Sequence, residues 1–186
     1  MDSWKEFDQN PISHSAAHHI VAIAELLEEY GYARVSDVAR LLEITRGSVS
    51  VTLKGLKQRG LVTEDERRFL GLSEIGNAIA QSVRARKVVM KKLFEDVLGV
   101  DAERADRDTC KIEHLVSPSS ALHALHFLRY ALEGGAAQQA FSDAFGSFQK
   151  ECGGEPAACC TCDDVCLQAR LTNLPRIEDS AESDAK

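Results

Sequence analysis

Residues 31–62 read GYARVSDVARLLEITRGSVSVTLKGLKQRGLV. Two short amphipathic segments lie here, divided by the turn TRGS. In the first, Ser36 is a candidate N-cap and Val38, Leu41 and Leu42 are placed to face inward. The second, 46–59, carries Arg46, Lys54, Lys57 and Arg59 and no acid, and Gly60 stops it. LVTEDERRFLGLS follows and reads as two short strands around a charged turn at 64–68. Helix, turn, basic helix and a two-stranded wing, in that order, is the pattern of a winged helix-turn-helix, whose second helix enters the DNA major groove.

The pattern extends outward in both directions. Before it, 13–30 is a helix with Ile20, Ile23, Ala24 and Leu27 on one stripe, ended by Gly31. After it, Ser73 opens a long helix to about Leu98, with Ile75, Ile79, Val83 and Leu93 apolar. DAERADRDTCKIEHLV (101–116) forms a further helix, broken at Ser117-Pro118. The next helix carries Leu122, Leu125, Leu128 and Leu132, with His123 and His126 as interface or core residues, and Gly134-Gly135 ends it. AAQQAFSDAFGSFQK adds a last amphipathic helix with Phe141, Phe145 and Phe148. The expected fold is mainly α: a winged helix-turn-helix domain (1–72), a linker helix and helical metal-binding and dimerisation domain (73–150), and a cysteine-rich acidic tail (151–186).

Composition is that of an ordinary soluble chain, with 186 residues, 44% hydrophobic and 27% charged. No apolar run is long enough to span a membrane and the N-terminus has no signal-peptide pattern, so a cytoplasmic protein is expected. The net charge of −7 speaks against nucleic acid only until it is located. Residues 151–186 hold eight acids and three bases, which accounts for −5, whereas 45–59 and 84–92 are purely basic.

One short stretch carries chemistry. In CKIEH (110–114), Cys110, Glu113 and His114 stand at relative positions 0, 3 and 4, so a helix places a thiol, a carboxylate and an imidazole on one face. All three bind transition metals. As a catalytic set the stretch is poor. Cys110 with His114 lacks an oxyanion-hole motif, and the chain has no Gly-rich phosphate loop and no HExxH, so an enzyme is not expected.

With these pieces in order, residues 13–133 resemble the diphtheria toxin repressor family of metal-dependent transcription regulators, which includes iron- and manganese-dependent repressors. The helix-turn-helix stretch quoted above carries the resemblance, together with GLSEIGNAIAQSV (71–83) and LFEDVLGVDAERADRDTCKIEH (93–114). It implies a homodimer that binds a near-palindromic double-stranded operator when divalent metal is present. It also implies metal ligands at Cys110, Glu113 and His114, with His18 at the matching position of the first helix. His14 and His19 lie close enough to His18 to compete for that role. A helix-1 carboxylate of the manganese branch falls on Val21, which cannot ligate. The family's ancillary metal positions hold Lys87, Lys91 and Asp106, so no ancillary metal is expected, and an ammonium there would hold the same carboxylates. Two imidazoles, a thiolate and a carboxylate favour Fe(II), with Mn(II) and Zn(II) as alternatives. The residues placed to face DNA are Thr45, Arg46, Ser48, Ser50 and Thr52, with Lys54 and Arg67 or Arg68 on phosphates and Val51 toward a thymine methyl.

The tail stretch ECGGEPAACCTCDDVC (151–166) lies outside the family pattern. It holds Cys152, Cys159, Cys160, Cys162 and Cys166, five of the chain's six cysteines. That density suggests a second centre, an iron–sulfur cluster or a zinc site, although the spacing matches neither a zinc ribbon nor a ferredoxin run. A regulator that senses redox state or an iron–sulfur cluster through this tail is the alternative reading of function.

Overall fold

The computed structural model describes residues 12–132 and 135–151. Two compact units divide at Gly134–Gly135. The first contains helices α1 (His14–Tyr30), α2 (Val35–Leu41) and α3 (Arg46–Gln58), strands β1 (Val62–Glu64) and β2 (Leu70–Leu72), and helix α4 (Glu74–Lys92). Helix α4 runs on into one π-helical turn, Leu93–Val97, followed by α5 (Ala102–Ile112) and α6 (Pro118–Leu132). The second unit contains α7 (Ala136–Glu151), on which the Phe141 and Phe145 rings stack at 5.9 Å. The cysteines from Cys152 onward lie outside the described residues.

Helix α1 is the centre of the first unit. Ile20 and Ile23 are fully buried, and the small residues Ala16, Ala17, Ala22 and Ala24 let neighbouring elements approach closely. Against it pack Val38 of α2, Val49, Leu53 and Leu56 of α3, Leu70 of the wing, and Ala80 and Val83 of α4. Burying side chains of this size contributes about 1.5–3 kcal/mol each. Side-chain hydroxyls or a carboxylate start five of the helices: Ser13 caps α1, Thr45 caps α3, Ser73 caps α4, Asp101 caps α5 and Ser117 caps α6. Each satisfies an amide that the first helical turn leaves unpaired. Gly31 ends α1 in the left-handed conformation at φ 76°.

The wing is an antiparallel pair with Val62 opposite Leu72 and Glu64 opposite Leu70. Ala33 bridges to Leu70, which ties the segment after α1 to the wing. Asp65 shapes the tip by accepting hydrogen bonds from the amides of Arg67 (2.9 Å) and Phe69 (2.8 Å). Where the wing returns to α4, the chain passes so close to Leu61 that a Cβ on Gly76 would lie 2.1 Å from the Leu61 carbonyl oxygen.

Several expectations need correction. Ser36 is not a cap: α2 begins at Val35, Arg34 occupies the cap position, and no side chain closes it. Val38 is buried as expected, but Leu41 and Ile75 are exposed. Both lie one position off the stripe that meets α1, which is narrower than the runs of apolar residues around it. Leu122 is exposed while Leu128 is buried. His123 and His126 are exposed on α6, so neither is a core residue. Among the described residues, no helix is long and apolar enough to cross a membrane.

Two glycine substitutions test this packing in opposite directions. Gly76→Ala should destabilise the protein by about 1–3 kcal/mol, because backbone must move to admit the methyl group. Gly55→Ala, where nothing lies within 4 Å of the new Cβ, should stabilise it by about 0.5–1 kcal/mol. Urea unfolding of both variants beside the wild type measures the two signs.

Candidate metal centre

Cys110 lies in the last turn of α5. Helical hydrogen bonding proper stops at Ile112, yet Glu113 keeps helical dihedrals (φ −53°, ψ −33°) and its amide still reaches the Thr109 carbonyl at 2.8 Å. The 0, +3 spacing of thiol and carboxylate on one face is therefore kept past the formal helix end. His114 follows in a turn closed by the amides of Leu115 and Val116 on the Ile112 carbonyl. Across from these residues stands the first half of α1, where His14 and His18 are four residues apart and share a face.

The donors from the two elements converge. Cys110 Sγ is 3.3 Å from His18 Nε2, and Glu113 Oε1 is 3.9 Å from the same nitrogen. His14 Nδ1 and His114 Nδ1 are 3.4 Å apart. The His14 and His18 rings meet edge to face at 4.4 Å between centroids. Donor atoms of His14, His18 and Cys110 all lie within 4.8 Å of one another. His19 does not join them: it is buried, and its Nδ1 hydrogen-bonds the Ser15 carbonyl at 2.6 Å.

The electrostatics of this cluster suit a cation. Glu113 is 3% exposed, and its Oε2 has no hydrogen-bond partner among the described residues. Burial pushes its carboxyl above the usual carboxylate range, although Lys87 opposes the rise. Burial, and then the Glu113 charge, raise the Cys110 thiol. Burial holds the His18 and His114 imidazoles below the usual range, helped in both cases by His14. Imidazoles, a thiol and a desolvated carboxylate thus lie side by side, with His14, His18 and Cys110 converging, Glu113 next to His18 and His114 next to His14. A buried carboxylate oxygen with no partner costs about 1–3 kcal/mol or more, and a divalent cation relieves that cost while displacing the thiol proton. The residues fit a divalent transition metal.

The surrounding charges are organised around this point. Arg86 Nε donates to the Glu113 carbonyl at 2.7 Å and so fixes the turn that carries the ligands. Lys91 lies 3.3 Å from Asp106 and 3.7 Å from Glu95, and Lys87 lies 3.7 Å from Asp106. Two ammonium groups therefore hold the Asp106 carboxylate. Arg84 pairs with Glu28 of α1 at 2.7 Å, and Lys92 with Asp96 at 3.5 Å. The basic run 84–92, expected as a basic face, is spent on contacts within the unit. A cleft of about 390 Å³ opens beside the cluster, lined by His18, Val21, Glu25, Lys87 and Glu113 among others.

The expected DNA-facing residues lie along α3, at its cap and at the wing tip. Arg46, Ser48, Ser50 and Lys54 are exposed on α3, Thr52 is half-buried, and Val51 is 76% exposed. Thr45 caps α3 through its hydroxyl, which accepts from the Ser48 amide at 3.1 Å, and Ser50 Oγ donates to the Arg46 carbonyl at 2.8 Å. Lys57 turns inward to pair with Glu64. Arg46 and Lys54 form no ion pair among the described residues, while Arg67 and Arg68 are exposed at the wing tip, the latter 3.4 Å from Glu64. Two residues escaped the reading of the sequence as members of the centre. His14 stood only as an alternative to His18, and its signal was the four-residue spacing. Arg86 was one base among several, and nothing in the sequence marks its contact with a carbonyl 27 residues away.

Comparison with known proteins agrees with both halves. The signature "Iron dependent repressor, metal binding and dimerisation domain" matches residues 73–131, and that of the MarR family matches 13–68. The HTH-type transcriptional regulator MntR of Lysinibacillus sphaericus (strain C3-41) is 33% identical over 106 residues, 57% of this chain and 76% of the relative. That of Shouchella clausii (strain KSM-K16) is 35% identical over 106 residues, 55% and 71% of the two chains. The solved structure of the manganese regulator SloR shares the fold with a TM-score of 0.57 at 22% identity, over 62% of this chain and 54% of that one. The chain spans about half the length of that solved relative.

A charge-removing variant checks the fit of the centre. Metal-free Glu113→Gln protein should unfold at the same temperature as metal-free wild type or a higher one, since a desolvated charge is gone; the expected gain is about 1 kcal/mol. It should lose most of the rise in Tm that added Co(II) gives the wild type. Calorimetry with and without Co(II) measures both.

Proposed function

The chain belongs to the diphtheria toxin repressor family of metal-dependent transcriptional regulators, and from that premise we propose that it is an iron-responsive repressor that binds a palindromic operator as a homodimer. It is a DNA-binding regulator and not an enzyme, as its relatives are. The observation that carries the reading is the meeting of His18 on α1 with Cys110 and Glu113 at the end of α5. One set of donors belongs to the winged helix and the other to the segment matching the metal-binding and dimerisation signature. With His114 they form the proposed ligand set.

A bound divalent cation supplies the positive charge that four neutral or anionic donors need to stay together. The residues do the rest. His18 couples the centre to α1, on which α3 is packed through Val49, Leu53 and Leu56. Arg86 holds the Glu113 backbone in place. Ligand binding that favours one arrangement shifts the population toward it by the difference in affinity. The arrangement so favoured fixes the spacing of two α3 helices across a dimer, and thereby the half-sites they read. In this reading Arg46 faces the DNA, Lys54 and Arg67 or Arg68 reach phosphates, and Val51 meets a thymine methyl.

Fe(II) is the proposed ion over Mn(II) and Zn(II). A thiolate and two imidazoles are softer than the carboxylate and carbonyl oxygens that suit manganese, and zinc affinity is offset by availability. The name of the manganese regulator SloR keeps Mn(II) as the second reading. For the tail we infer a separate iron–sulfur or zinc centre on Cys152, Cys159, Cys160, Cys162 and Cys166, supported by cysteine density alone.

Three outcomes are expected. Wild-type protein should shift a palindromic duplex only with divalent metal, and Arg46→Ala with Lys54→Ala should weaken binding and flatten its salt slope by about 2 or more across the dimer. Identical salt slopes for mutant and wild type would place the DNA face elsewhere. Cys110→Ala should lose the metal dependence but stay a folded dimer by sedimentation. Anaerobically purified protein should carry sulfide and a visible absorption that a deletion of 152–186 removes; colourless protein with stoichiometric zinc would assign a zinc site to the tail.

A further inference from the structure

The proposed ligand set leaves a fifth donor unused. We propose that His14 also ligates the metal, and that this third imidazole beside a thiolate makes the centre discriminate against Mn(II). The inference rests on the ligand reading above and adds to it a residue and a specificity.

The geometry is that of a shared ion. Donor atoms of His14, His18 and Cys110 lie within 4.8 Å of one another, and His14 Nδ1 is 3.4 Å from His114 Nδ1. Atoms bound to one ion at about 2.0–2.3 Å stand roughly 3–4.5 Å apart, close to the spacing seen. The two facing Nδ1 atoms share a single proton at most when neutral, since a hydrogen on both would clash. A cation between them satisfies both lone pairs. His14 is also well placed. It is the first residue of α1, held by the Ser13 cap on the Ala16 amide (3.3 Å) and by Ile12, which is buried just before it. Its ring lies four residues before His18, edge to face with it, so one helix face offers two imidazoles to the same point. The neighbouring His19 is buried, and its nitrogens are not among the donor atoms that converge.

The chemistry of the donor set follows. With His14 the centre offers three imidazole nitrogens, one thiolate sulfur and one carboxylate. Imidazole suits Fe, Zn, Cu and Ni, whereas Mn(II) is suited by carboxylate, carbonyl and water oxygen. On the α1 side, Val21 faces the adjoining cleft and adds no oxygen. Each substitution of nitrogen for oxygen therefore costs Mn(II) more than it costs the ions later in the affinity series.

The test uses the full chain, loaded anaerobically with Co(II) as a spectroscopic probe, as wild type, His14→Ala, His14→Gln and Cys110→Ala. His14→Ala should keep the thiolate-to-cobalt charge-transfer band, shift the ligand-field bands, and weaken Co(II) by about tenfold or more in chelator competition. Mn(II) affinity should change less than threefold, so that the preference for Co(II) narrows. His14→Gln should behave alike. A His14→Ala protein with wild-type ligand-field bands and affinity would overturn the inference, as would equal weakening of Co(II) and Mn(II). His14 is exposed, and circular dichroism of the metal-free variants checks that they are folded; the band positions, read on folded protein, decide the case at any stability. If wild-type protein shows no charge-transfer band that Cys110→Ala removes, the underlying ligand set is wrong, a failure distinct from that of His14 alone.

Discussion

A carboxylate withdrawn from water with one oxygen unpaired is the constraint from which the rest of the centre follows. Glu113 is at the end of α5, almost fully buried, and its Oε2 meets no donor among the described residues. Proteins rarely leave a buried polar atom in that state without a functional reason. The neighbouring groups do not resolve it with a direct salt bridge. Arg86 takes the backbone carbonyl instead, and Lys87 is engaged with Asp106. Imidazoles whose protonation is suppressed by burial, and a thiol raised by it, then complete a pocket of lone pairs. Such a set is unfavourable when empty and coherent around a cation, and in the proposed function an ion there controls the contact between α1 and α5.

Much of the fold was legible because it rests on local rules. The hydroxyl caps at Ser13 and Ser73, the stop at Gly31, the all-basic α3 and the wing turn at Asp65 are each written in a few adjacent residues. What escaped depends on tertiary contact. Ser36 looks like a cap by residue type, yet α2 starts two residues earlier than such a cap would place it, just after the bridge from Ala33 to Leu70. Leu41, Ile75 and Leu122 are apolar but miss the stripes that their helices bury. In the centre, the spacing within CKIEH could be read directly, since it needs only a helical turn. The partner histidines could be narrowed to α1 but not chosen, because rotation of α1 about its own axis is set by Ile20, Ile23 and the wing and not by the histidines themselves.

The same distinction separates charge from its use. Two basic runs look equivalent in the sequence. In 84–92 the cations face inward or along their own helix: Arg84 to Glu28, Arg86 to a carbonyl, Lys87 and Lys91 to Asp106, Lys92 to Asp96. On α3 only Lys57 is drawn inward, to Glu64, while Arg46 and Lys54 remain unpaired among the described residues. A chain of net charge −7 can thus present a positive surface to phosphates, because screening confines each charge to about 10 Å at ordinary ionic strength. The local arrangement decides the partner, and the sum does not.

Coupling between the centre and α3 is then a matter of magnitude. Shifting an equilibrium from 1:99 to 99:1 takes about 5.5 kcal/mol of differential affinity. A single exposed contact between α1 and α5 would supply a small fraction of this, since surface ion pairs contribute about 0–1 kcal/mol. Ligands divided between the two elements behave otherwise. If the α1 imidazole leaves, an ion held as proposed would lose a ligand. That penalty falls on the arrangement in which α1 and α5 are apart, so it adds to the difference between the two states. The link onward is rigid. Helix α1 shares one buried cluster with Val49, Leu53 and Leu56 of α3, and close-packed side chains transmit displacement with little loss. Proposed ligands on the helix that carries Ile20 and Ile23 of the core would let occupancy of the centre be felt at α3.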